Sequence, residues 1–247
     1  MSFEVALFLT LGAAAGGFIN GLAGTGTALF ALGFYLLVLP PISAVAIVAL
    51  MSVLAGLQGL WVVRREIRAN PIRLLRFLIP GLAGVPIGLA LLSAIDAGAL
   101  RIAIAALLII YGGYFSLRKS LPAFSRRTPI IDSCVGFIGG VLGGAASVSG
   151  ALPVIWLSLR PWPKAETRAV LQPFNVVILS TTIVLLFFKG AYDDTSVKAL
   201  FITIPIGMIA AQIGIFVFNR LNDDMFRRLL IGLTLLIGAG IFVSEAF

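Results

Sequence analysis

The stretch INGLAGTGTALFA, from Ile19 to Ala31, sets three glycines among Asn20, Thr25 and Thr27 between two apolar runs. Neutral amides and hydroxyls donate hydrogen bonds to an anion without themselves adding a buried charge. A phosphate loop has Gly-x-x-x-x-Gly followed by lysine; Gly21 and Gly26 keep that spacing, but Thr27 stands in the lysine position. A dinucleotide fingerprint fails too, because Gly24-x-Gly26 lacks both a preceding strand and an acid about 20 residues on. Some of the glycine content has a simpler role. Gly12/Gly16, Gly17/Gly21, Gly136/Gly140 and Gly140/Gly144 are spaced as small-residue stripes that let membrane helices approach closely. Packing alone does not require Asn20, Thr25, Thr27, Ser147 and Ser149 to gather at two glycine-rich breaks.

The elements that carry these residues follow from composition. The chain of 247 residues is 60% hydrophobic and 11% charged, with a mean hydropathy of +1.11. So few charges cannot cover so much apolar surface in water, and long uncharged runs point to a polytopic helical membrane protein. The net charge of +8 comes from short basic clusters beside apolar spans. That is a topology signal rather than a nucleic-acid surface. With no histidine and Cys134 alone, a disulfide within the chain is excluded and no metal or cofactor is expected.

The chain reads as two copies of one plan. GFINGLAG from Gly17 recurs as GFIGGVLG from Gly136, Gly81 and Gly88 echo Gly207 and Gly214, and Arg101 and Gly112 echo Arg227 and Gly238. The first repeat is expected over 1–121, with a glycine-broken element at 5–39 and helices at 42–63, 72–92 and 98–117. A linker at 122–129 leads to the second repeat over 130–247, with a broken element at 130–159 and helices at 169–188, 197–218 and 226–245. As one helix, residues 5–39 would extend roughly 52 Å against about 30 Å of hydrocarbon. Each broken element therefore crosses once in two pieces, or turns at its glycines and leaves where it entered.

Charge separates these alternatives. If both elements cross, the 18 Lys and Arg residues divide 11 to 7; if both are re-entrant, they divide 15 to 3. The positive-inside rule favours the hairpins. Three crossings per half then make the repeat inverted, with both termini outside the cytoplasm. Inverted repeats with broken helices meeting near the midplane are a common transporter design.

A break in hydrocarbon frees backbone polar groups and belongs beside a cavity or ligand. The helices resuming near Thr27 and Gly150 would present N-terminal N–H groups there, which suits an anion. The expected substrate site comprises Asn20, Gly24, Thr25, Gly26, Thr27, Ser147, Ser149 and Gly150, joined by Gln172 and Asn175 one turn apart on a following helix. Arg168, the innermost of Arg160, Lys164 and Arg168, is expected to draw an anion into a cytoplasmic vestibule. The other two read as headgroup anchors. No carboxylate or histidine lies securely in mid-span, so proton coupling stays open, as does a proton carried on the substrate.

These residues resemble the TauE/SafE family of permeases for sulfite and organosulfonates. The resemblance rests on the duplicated glycine-rich element, the small size and GFIGGVLGG, and covers nearly the whole chain. It implies transport of small sulfur oxyanions across the cytoplasmic membrane. The expectation is thus a multi-pass inner-membrane transporter, not an enzyme, whose partners are a small anion and the bilayer. The alternatives are a non-transporting membrane subunit and a permease for another organic anion. Oligomeric state stays open, a homodimer among the options.

Overall fold

The computed structural model describes residues 3–92 and 124–246, with 106, 109 and 113. Among them the chain is helical with no strand. The helices are α1 (Phe3–Ala23), α2 (Thr27–Leu36), α3 (Pro41–Val62), α4 (Arg64–Ala69) and α5 (Pro71–Leu92). After 123 come α6 (Pro129–Ala146), α7 (Ala151–Ser158), α8 (Lys164–Phe188), α9 (Asp194–Arg220) and α10 (Asp223–Ala246). Residues 98–117, expected to form a crossing, fall largely outside the described residues.

Six of these helices, α1, α3, α5, α6, α8 and α9, are long and apolar enough to cross a membrane. Proline opens α3, α5 and α6, where its missing N–H costs nothing and its fixed φ suits the first turn. Asp193 caps α9 by accepting from the Ser196 N–H at 2.9 Å. Hydrogen bonds from Ser196 hold its carboxyl below the ordinary carboxylate value. Large apolar side chains are turned outward along α9, with Phe201 at 78% and Ile209 at 65% exposure. Such a face is stable in lipid and not in water. The chain is therefore a multi-pass membrane protein.

Both glycine-rich elements break as their composition requires. α1 stops at Ala23, and Gly24 and Gly26 take φ of 85° and 101°, a region open to glycine and strained for other residues. The second break is made differently. Ser147 takes the left-handed conformation at φ 56°, with its N–H closing onto the Gly143 carbonyl at 2.9 Å. After each break the chain doubles back. The Tyr35 hydroxyl donates to the Leu9 carbonyl and Gly16 abuts Thr27 and Ala31, so α2 lies alongside α1. In the second half, Trp156 Nε1 donates to Asp132 at 2.7 Å, which returns α7 along α6.

α3 and α8 form the centre and are the most buried of the six long helices, with α5 and α9 the least. The long arms interlock across the halves. α1 packs on α9, where side chains at Gly17 and Gly21 would overlap backbone of Gly207 and Ala211. α6 packs on α5 in the same way, with Gly136 and Gly140 against Phe77 and Gly81, and Gly88 against Val141. α1 is thus seated on α9, and α6 on α5, through facing glycines. Close backbone approach of this kind replaces the hydrophobic drive that helices lack in lipid.

Candidate functional site

The two breaks meet against α8. Three α8 side chains, Arg168, Gln172 and Asn175, follow at i, i+4 and i+7 and so line one helical face. Thr25 from the first break and Ser149 from the second both donate to Asn175 Oδ1, at 3.2 and 2.7 Å. One amide oxygen therefore joins both halves. Gly150 sits directly on Thr25, where a methyl group would overlap the Thr25 side chain.

A second set of bonds runs towards the basic end of α8. Asn20 donates to Thr27 Oγ1 at 2.7 Å and to the Ser52 carbonyl at 3.2 Å. Gln172 Nε2 donates to the Gly56 carbonyl at 3.0 Å and reaches Asn20 Oδ1 at 3.4 Å. Gln172 Oε1 in turn accepts from Arg168 Nε at 3.1 Å. Asn20, Arg168, Gln172 and Ser149 are all fully buried.

Arg168 is the unusual member. Its Nε is bonded and its guanidinium lies 4.4 Å from the centre of the Phe218 ring. Both Nη1 and Nη2 are buried without a hydrogen-bond partner among the described residues, as is Asn175 Nδ2. A buried guanidinium with its two-nitrogen edge unmatched is costly, and a planar or tetrahedral oxyanion pairs with that edge through two oxygens. Glycines keep the space open. A Cβ at Gly59 would come 2.7 Å from Nη2, and one at Gly24 would come 2.9 Å from Gln172 Oε1.

Electrostatics elsewhere support an anion. Among the described residues neither α2 nor α7 has a side-chain cap at its start, so their first N–H groups are free of that competitor. Beside the breaks lies a small cavity of about 20 Å³ bordered by Thr25, Gly26 and Gly150 and otherwise by apolar side chains such as Leu29, Val154 and Leu233. This conformation is closed around the site.

The expected residues divide in four ways. Asn20, Gly24, Thr25, Thr27, Ser149, Gly150, Gln172 and Asn175 belong to the connected cluster. Gly26 borders the small cavity and faces Ile19. Ser147 turns away, donating to the Val45 carbonyl at 3.1 Å. Arg168, expected at a vestibule, is fully buried in this conformation. α8 begins at Lys164 rather than near 169, so Arg168 sits one turn inside the helix and faces inward. Arg160 and Lys164 also tie neighbouring segments together. Arg160 is 3% exposed and holds Asp132 at 3.1 Å; Lys164 Nζ donates to the Phe218 carbonyl at 2.9 Å. Gly59 and Phe218 escaped the sequence reading. The Gly56/Gly59 spacing in LAGLQGLW was a usable signal for the first; nothing marked the second.

No match was found among curated proteins or solved structures. A family profile described as Sulfite exporter TauE/SafE matches residues 8–241, nearly the full length. With glycine-broken helix pairs packed on α3 and α8 and a match over residues 8–241, this protein is a member of the sulfite exporter TauE/SafE family.

Proposed function

We propose that this chain moves a small sulfur oxyanion or organosulfonate, such as sulfite, across the cytoplasmic membrane by alternating access. The substrate binds where the two breaks meet, between Thr25, Ser149, Asn175 and the free edge of Arg168. The observation that carries this reading is the buried guanidinium with two unmatched N–H₂ groups. Its charge is balanced by an anion, and its geometry suits a ligand with two oxygens on one centre. The sulfur class rests on the family.

The two halves act as an inverted repeat whose broken elements are re-entrant hairpins. The reciprocal seating of α1 on α9 and α6 on α5 supports a two-fold relation, and the 15-to-3 charge division supports the hairpins. Transport follows from one group of helices rocking against the other, opening the closed site to each side in turn. Both termini then lie outside the cytoplasm. On a Cys134→Ser background, Asp194→Cys reacts with an impermeant thiol reagent in intact cells and Arg65→Cys does not. The reverse pattern overturns this topology. Asp194 is preferred to Asp193 because the latter caps α9.

Purified protein in liposomes is expected to release trapped sulfite or a sulfonate. Thr25→Val combined with Ser149→Val removes both donors to Asn175, each worth about 1 kcal/mol, and flux falls about tenfold or more. Undiminished flux in the double variant excludes this site.

A further inference from the structure

A second basic site lies on the opposite side of the α8 start. A cavity of about 330 Å³ opens between the beginnings of α5 and α6, lined by Arg73, Arg76, Arg126, Arg127, Arg160 and Asp132. Its volume holds roughly ten waters, many times that of the cavity beside the breaks. Arg73 is paired with Glu166, and Arg76 and Arg160 share Asp132 at 4.0 and 3.1 Å. Two carboxylates thus face five guanidinium groups. Arg126 and Arg127 are exposed and have no acidic partner among the described residues. The cavity is separate from the site at the breaks. Glu166 and Arg168 are two residues apart on α8, hence about 200° apart around its axis.

We propose that this cavity binds the phosphate headgroup of an anionic phospholipid. Its rim decides between a lipid and a soluble phosphate ester. Ile72 and Ile130, at the first turns of α5 and α6, are 64% and 78% exposed, and Phe124 is 48% exposed. Apolar side chains turned outward at the start of two spans lie against acyl chains, so the guanidinium groups beside them are at headgroup level. Trp162, also in the lining, has Arg73 4.6 Å from its ring centre and suits the same interface. The residues come from both halves, and the cavity stands at the mouth of the α5–α6 seam. A lipid seated there clasps the two halves together. Basic pockets between spans on the cytoplasmic side are a known mode of headgroup capture; that side is assigned here by the charge division.

The test uses delipidated full-length protein in neutral detergent, followed by thermal melting and native mass spectrometry. Phosphatidylglycerol is expected to raise Tm by several degrees and to leave bound lipid on the protein. Phosphatidylcholine and glycerol 3-phosphate, which lack either the net charge or the acyl chains, leave Tm unchanged. The Arg126→Gln/Arg127→Gln variant loses at least half of the shift. In wild-type protein, about 1 M salt, with a screening length of about 3 Å, suppresses it. An equal shift with phosphatidylcholine, the full shift with glycerol 3-phosphate alone, or a wild-type shift indifferent to salt overturns the proposal.

Discussion

Arg168→Met is expected to yield a protein more resistant to heat than the wild type and unable to transport. Burying a guanidinium whose two terminal nitrogens are unmatched costs several kcal/mol, and an apolar side chain of similar length avoids that cost. A gain of about 2 kcal/mol corresponds to roughly 5 °C in Tm for a chain of this size. The same substitution removes the edge that pairs with the anion. With two charge-assisted bonds at about 1.5–3 kcal/mol each, affinity falls at least about 100-fold. Liposome flux and melting curves read the two effects separately, and stabilisation by added sulfite disappears with flux. Arg168→Lys keeps the charge and loses the fork, so it retains slow transport with weaker binding. Normal flux in Arg168→Met removes the charged anchor from the mechanism. Loss of flux together with lower heat resistance would make Arg168 a structural residue.

Gly140→Val is expected to prevent the halves from assembling. A side chain at Gly140 meets the Gly81 carbonyl on the facing helix, and both sides of that contact are backbone. Neither can rotate away, so α5 and α6 must separate along their length. Overpacking costs about 1–3 kcal/mol where side chains can shift, and the upper end or beyond applies here. The protein should aggregate on extraction or elute as a broad peak in size-exclusion chromatography. Gly33 is the control, since among the described residues nothing lies within 4 Å of a side chain added there. Gly33→Ala should stay within about 0.5 kcal/mol of wild type. Equal behaviour of the two variants would refute the close approach.

Much of the architecture was legible because membrane helices announce themselves through apolar length, and the break at Gly24–Gly26 through residues that tolerate positive φ. The repeated glycines were visible as a pattern, but their partners were not. Periodicity marks which face of a helix is small and says nothing about what meets it. That Gly17 answers to Gly207, and Gly140 to Gly81, needed coordinates. The second break was legible from the same cluster, but the residue that makes the turn was not: serine in a left-handed conformation has no compositional signature. Arg168 was misjudged through its helix boundary. Reading the span from the first uncharged residue placed the arginine outside it, whereas the helix starts at Lys164 and carries the charge inward. Asn175 was legible as a polar residue in an apolar run, but its place between Thr25 and Ser149 depends on three distant segments meeting.

The seating of each long arm on the other half also fixes a timetable for synthesis. α1 emerges first, yet its docking helix α9 follows about 190 residues later, the separation of Gly17 from Gly207. At roughly 5–20 residues per second, α1 waits on the order of ten seconds or more with its glycine stripe unmatched. The first half released alone never receives that partner. The nascent chain therefore completes its seams late, and a chaperone or insertase that shelters small-residue surfaces has its longest task at the N-terminus.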